Sequence, residues 1–283
     1  MQWTPGGVSD DVEDRRGGGG FRMGGIGGPH LGIGGVLLLG ILSLVFHRNL
    51  FTLFSGDASD PSGGSSYSPA APNTPASQDP AVQFVSFVLD DVQRTWETLL
   101  PQQASRPYRH AKLVLFTDAV DSGCGDAEAS TGPFYCPQDE KVYIDLGFYK
   151  ELSQRFGAPG EFAEAYVLAH EVGHHVQKIL GIEGGVRRAQ QRDPSSQNRL
   201  SVQLELQADC FAGIWGHSTE QRKIIDNADV QDGLRAAASV GDDRIQKMER
   251  GRVSPETFTH GSSVQRMSAF KAGLDSGNLA SCM

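Results

Sequence analysis

No Cys-x-x-Cys pair occurs in this 283-residue sequence, and no run of basic residues interleaved with aromatics. The first absence argues against a zinc knuckle or ribbon. The second, with 25 Lys and Arg against 34 Asp and Glu, argues against a nucleic-acid binder, so no polyanion is expected as a partner. Large apolar residues are scarce in residues 1–30, where glycine is abundant and charge gathers near the start. A stretch of that composition is expected to be disordered and to build no core. Cysteine is rare as well, four residues in all, at 124, 136, 210 and 282.

Against that background one run stands out, Leu31–Phe54, apolar apart from Ser43, Thr52 and the His47-Arg48-Asn49 step. As a helix rising about 1.5 Å per residue it is long enough to cross a hydrocarbon core of about 30 Å, with Arg48 snorkelling near its end. A cleaved signal peptide fits less well, because the charged lead is long and no A-x-A site follows. A buried core helix fits least, because low-complexity sequence flanks the run on both sides. The expectation is therefore a single transmembrane helix over 31–54. Arg15, Arg16 and Arg22 precede it, which places residues 1–30 in the cytoplasm by the positive-inside rule.

Residues 55–80 are dominated by Ser, Pro, Gly and Ala and read as a flexible linker. Residues 81–283 remain as one extracytoplasmic domain, large enough to bury its own core. All four cysteines fall in it, as suits an oxidising compartment. Of the three possible pairings we expect Cys124–Cys136 as a local staple and Cys210–Cys282 as a tie for the C-terminal tail, with reduced thiols as the alternative.

Within this domain Phe84, Phe87, Val88, Val92, Trp96 and Leu99 recur at helical spacing, and Ala111–Thr117 reads as a buried strand. Gly132–Asp145 contains two short extended runs around a Pro-Gln-Asp turn. After Pro159-Gly160 a long helix is expected from Glu161 to about Leu180, ended by Gly181. Inside it stands His170-Glu171-Val172-Gly173-His174. Residues i and i+4 share a helix face, so both imidazoles can reach one metal ion. Glu171, turned by about 100°, misses the metal but reaches water beside it. This is the H-E-x-x-H pattern of zinc peptidases.

The competing reading is a solvated amphipathic helix. Tyr166, Val167, Ala169, Val172 and Val176 oppose it, since buried polar side chains need partners. Gly173 costs a helix about 1 kcal/mol against Ala, so close approach of another backbone is expected there. His175 points off the metal face and reads as a structural, hydrogen-bonded histidine. A catalytic zinc needs a third ligand. No H-x-x-G-x-x-H extension follows, but SVQLELQADCFAGIWGH places Glu205 and Asp209 four apart on a second apolar helix. Glu205 fits as the ligand and Asp209 as the acceptor that orients a zinc-bound histidine. A solvated E-x-x-x-D face is the alternative.

HEVGHHVQ followed by ELQADCFAG resembles the glutamate-ligand zinc metallopeptidases, and more closely the bacterial membrane-anchored neutral zinc metallopeptidases. The resemblance extends to GPFYCPQDEKVYID, GDDRIQK and FTHGSSVQR. It implies an α+β fold, mostly helical and zincin-like, with a small mixed sheet packed on the active-site helix. It also implies that the strand near Lys141–Asp145 is the edge that pairs with an extended peptide. The implied activity is peptide-bond hydrolysis with one Zn²⁺ per chain held by His170, His174 and Glu205. Glu171 would be the general base toward a zinc-activated water. For the oxyanion the candidates are His260, which could equally cap the following helix, and Tyr143 behind it. Asp242 and Asp243 read as helix braces rather than ligands. The alternatives are a catalytically inactive zinc-binding module of the same fold, a closed structural zinc site with His175 or His217 as fourth ligand, and a hydrolase of non-peptide amides.

Overall fold

The computed structural model describes residues 1–16 and 75–283. Asp79 accepts a hydrogen bond from the Ala81 amide and Pro80 takes the first helical position, so helix α1 begins at Pro80 and runs to Ala104. It carries the expected apolar stripe, with Phe84, Val88, Val92 and Trp96 buried. Asp79 and Pro80, the last residues of the expected linker, are thus the cap and first turn of this helix.

Six strands follow the sequence order β1 (Val12–Asp14), β2 (Lys112–Phe116), β3 (Ala119–Ser122), β4 (Gly125–Glu128), β5 (Phe134–Cys136) and β6 (Lys141–Asp145). Four form a mixed sheet in the order β1-β2-β6-β5, with β5 alone antiparallel, and β3 and β4 form a separate hairpin. In register, Leu113 lies beside Val142 and Val114 beside Tyr143. Strand alternation therefore sends Leu113, Leu115, Val142 and Ile144 into the helical core, and Val114, Phe116, Cys136 and Tyr143 to the opposite face. The apolar run Leu113–Phe116 is continuous because it is buried on both faces.

The remaining helices are α2 (Gly147–Gln154), α3 (Glu161–Leu180), α4 (Ile182–Arg192), α5 (Gln197–Gln221), α6 (Asn227–Ser239), α7 (Asp242–Arg250) and α8 (Ser263–Ser276). The architecture is α+β, mostly helical with a small mixed sheet. Helix α3 ends where Gly181 turns left-handed at φ 77°. Helices α3 and α5 cross so closely that a Cβ on Gly173 would lie 3.0 Å from the Ala208 carbonyl oxygen. The glycine inside the H-E-x-x-H motif is what lets α3 and α5 meet. Two disulfides, Cys124–Cys136 and Cys210–Cys282, pair as expected. The first ties the β3–β4 hairpin to β5, and the second holds the C-terminal tail to α5.

One expectation needs correction. Residues 1–16 are not a disordered tail. Strand β1 pairs parallel with β2, and the Trp3 ring packs edge-on to Phe84 with centroids 5.3 Å apart. Charges that argued against a core are matched across the chain instead. Lys112 Nζ lies 2.7 Å from Asp11, Lys141 Nζ lies 2.7 Å from Glu13, and Arg16 reaches Asp79 at 2.7 Å. Residues 1–16 thereby belong to the same folded unit as 75–283. A helix crossing a membrane once between them would separate the partners of one sheet. The expected span 31–54 lies outside the described residues, and among those no helix is long and apolar enough to cross a membrane.

Candidate metal centre

Helix α3 places His170 and His174 one turn apart, and α5 brings Glu205 across to both. Glu205 Oε2 lies 3.2 Å from His170 Nε2, and Oε1 lies 3.4 Å from His174 Nε2. One donor atom from each residue falls within 4.8 Å of the others. Among the described residues no fourth His, Cys, Asp or Glu joins them.

The remaining ring nitrogens are spoken for. His170 Nδ1 bonds to Asp209 Oδ1 at 2.8 Å, and a carboxylate can only accept, so Nδ1 carries the proton. His174 Nδ1 lies 2.9 Å from Gln177 Oε1. The Gln177 amide nitrogen donates to the Leu204 carbonyl and to Gln207, which turns its oxygen toward the histidine. Both Nε2 atoms therefore face the Glu205 carboxylate. Two neutral imidazoles and one carboxylate, converging with their outer atoms pinned, fit a zinc ion.

Charge supports the same fit. Asp209 is fully buried and receives Arg266 Nε at 2.8 Å and Nη2 at 2.9 Å. Burial alone would raise its carboxyl, but Arg266 and His170 hold it below the ordinary value. Burial likewise disfavours a charged His170, yet Asp209 and Glu205 raise it to about 10. Burial opposes ionisation of Glu205 too, and the two histidines nevertheless hold it well below the usual range. The pocket thus draws positive charge to the Nε2 positions. Glu205 and Asp209 face one guanidinium, and Glu171 lines the same cleft, a surplus of negative charge that leaves room for a divalent cation.

This trio opens into a cleft of about 560 Å³. Glu171 lines it, and among the described residues no protein group donates a hydrogen bond to its carboxylate. His260 lines it as well, with Nδ1 3.2 Å from Asp242 Oδ1, so Nε2 is the nitrogen left for the cleft. Asp242 Oδ2 accepts the backbone N–H groups of Thr259, His260 and Gly261, and Asp243 takes Ser263, so these two acids brace the loop that carries His260.

Other expected residues fall elsewhere. Tyr143 sits on the sheet face away from the helices, its hydroxyl 2.6 Å from Asp139, and does not line the cleft. That follows from its place in the two-residue alternation of β6. Nor is β6 an edge. It lies between β2 and β5; among the described residues the edge strands are β1 and β5, and it is β5 whose Phe134 and Tyr135 line the cleft beside Gly132 and Pro133. His175 is fully buried between the Tyr135 hydroxyl and the Arg109 carbonyl, and His217 bonds to the Leu274 carbonyl and Gln221. Neither histidine joins the metal group.

Sequence reading assigned no role to Arg266 or Gln177. The signal for Gln177 was its position three residues after His174 on one helix. For Arg266 it was the surplus of buried carboxylates, which demanded a cation.

The chain is 44% identical over a 294-residue alignment to the uncharacterized protein YpfJ of Escherichia coli (strain K12), covering 100% of this chain and 98% of that one. It is 42% identical over 204 residues to the uncharacterized protein Mb2605 of Mycobacterium bovis, covering 68% of this chain and 67% of that one. No solved structure matches. The family model described as "Putative neutral zinc metallopeptidase" matches residues 1–283, and the chain belongs to that family.

Proposed function

We propose that the protein is a zinc metallopeptidase that hydrolyses peptide bonds, with His170, His174 and Glu205 as the metal ligands. The observation that carries this reading is the convergence of those three side chains at a cleft that also exposes Glu171 and the unpaired edge of β5. A zinc ion held there supplies Lewis acidity, lowering the pKa of water at the site toward neutrality and polarising a carbonyl oxygen. Glu171 accepts the proton of the attacking water on its carboxylate and passes it to the leaving nitrogen. His260, whose charged form is favoured by the Asp242 carboxylate on Nδ1, donates from the protonated Nε2 to the oxygen on which charge develops. An extended peptide pairs with the backbone of β5, which holds its scissile bond over α3 and tolerates varied side chains. Asp209, clamped by Arg266, keeps the His170 ring in its ligand orientation.

The two disulfides argue for an oxidising, extracytoplasmic compartment, and the β1–β2 pairing argues that residues 1–16 share it. The apolar run 31–54 is proposed as the attachment to a bilayer.

The test is metal analysis of the purified, dialysed chain beside Glu205→Ala, followed by cleavage of an unfolded protein substrate. One zinc per wild-type chain, lost or weakened in the variant, and peptide turnover are expected. A folded chain that takes up no zinc on reloading would overturn the site. Zinc without turnover of any peptide would leave the inactive zinc-binding module as the better reading.

A further inference from the structure

The free edge of the sheet and the ligand-bearing helix are joined by one polar contact. The Tyr135 hydroxyl of β5 lies 2.9 Å from His175 Nδ1, and His175 is the residue next to His174 on α3. On the other side of the ring, Nε2 lies 2.7 Å from the Arg109 carbonyl oxygen. A carbonyl can only accept, so Nε2 carries the proton and Nδ1 offers a lone pair. Tyr135 must therefore donate. The ring is fully buried and packs edge-on against Tyr108, with centroids 5.6 Å apart, so it has little room to turn.

Strand β5 is only three residues long, and its two faces are held differently. Phe134 stacks on Tyr143 on the face away from the helices, with centroids 4.8 Å apart. Cys136 is bound to the β3–β4 hairpin through Cys124. Only Tyr135 ties the strand toward α3 by a hydrogen bond. A three-residue edge strand is weakly constrained by its ladder alone. Its height above the metal ligands is thus tied to α3 through this one donor and one acceptor.

We infer that Tyr135 and His175 form a positioning pair that sets the edge strand β5 at a fixed distance from the metal ligands, and so fixes where an extended peptide lies. This rests on the peptidase reading and on β5 as the peptide-pairing edge. The pair touches no reacting atom. It acts through the strand, so its loss bears on peptide binding before it bears on the bond-breaking step.

The experiment uses the full chain with zinc bound, in wild type, Tyr135→Phe, His175→Asn and His175→Gln. The Asn amide reaches the place of Nδ1 and keeps a partner for Tyr135, whereas the Gln amide reaches the place of Nε2 and keeps only Arg109. Amide hydrogen exchange of residues 134–136 and KM for a peptide substrate are read together, with zinc content as the control. Tyr135→Phe and His175→Gln should speed exchange in β5 and raise KM about three- to tenfold, the worth of one hydrogen bond, with a smaller change in kcat. His175→Asn should restore both readouts toward wild type. Unchanged exchange and unchanged KM in Tyr135→Phe would overturn the pair. So would an equal loss in His175→Asn and His175→Gln, which marks mere packing. A zinc-loaded wild type that cleaves no peptide would overturn the peptidase reading instead, and the exchange data would still decide whether the pair holds the strand.

Discussion

Arg266 on α8 grips Asp209 on α5 through two nitrogens, at 2.8 and 2.9 Å, and Asp209 in turn holds His170 Nδ1. The guanidinium also stands 3.9 Å from Glu205, the proposed third ligand. A cation behind the ligands repels a metal ion in Coulomb terms, but it is what allows Asp209 to stay ionised while fully buried. Orientation of the histidine outweighs that repulsion, because an ionised Asp209 fixes both the tautomer and the direction of Nε2.

Arg266→Gln should therefore weaken zinc binding by roughly 10–100-fold, the usual cost of losing an outer partner of a metal ligand. It should also destabilise the fold by about 3–5 kcal/mol, since it strands a buried carboxylate. Asp209→Ala should lower zinc affinity by a similar factor. Competition with a chelator of known affinity reads the first effect and thermal unfolding the second. Zinc affinity equal to wild type in both variants would remove the Arg266–Asp209 pair from the metal site.

Glu171→Gln should keep one zinc per chain and lose peptide turnover by at least about 100-fold, the ordinary contribution of a positioned general base. The amide occupies the same space but cannot take up a proton. Wild-type rates in this variant would end the general-base assignment, and lost zinc would show that Glu171 supports the ligands.

The parts of this fold that could be read locally were read well. Helix α3 announces itself through its apolar spacing, its Gly181 stop and the His170–His174 step, and β5 and β6 through two apolar runs around a turn. Glu205 was legible because buried carboxylates are costly without a cation. What was missed depends on distant pairing. Strand β1 has three residues and gains its place from β2 and from ion pairs such as Asp11–Lys112, which no local pattern encodes. Tyr143 was misplaced because side-chain alternation fixes its face only once the sheet order is known, and that order also moves the free edge from β6 to β5. Arg266 lies 57 residues beyond Asp209 in sequence.

Strand β1 makes a claim about topology. All four cysteines are paired, so a single introduced cysteine provides a free thiol. Thr4→Cys and Lys271→Cys, both at exposed positions, should react from the same side of intact cells with a membrane-impermeant maleimide. Labelling from opposite sides would mean that residues 1–16 do not complete the sheet in the cell and would restore a single crossing between them and the domain.

The hold on β1 is also expected to depend on pH. His110 lies between Asp11, which precedes β1, and Glu97 of α1, at 2.5 and 2.8 Å. Burial opposes its charge, but hydrogen bonds to the two carboxylates raise it above its ordinary value of 6.5. A histidine raised on folding binds its proton more tightly in the folded state. Its stabilisation is complete below pH 6.5 and is lost as pH climbs through the higher folded value. Lys112, raised further by its bond to Asp11, and Lys141 keep their own bonds to Asp11 and Glu13, so the strand loosens without leaving. Amide exchange of residues 12–14, corrected for the intrinsic pH dependence of exchange, should show protection falling as pH rises above 6.5 in the wild type. His110→Gln should flatten that slope, because glutamine keeps a hydrogen-bonding side chain but cannot titrate. An equal slope in both proteins would show that another group loosens the strand.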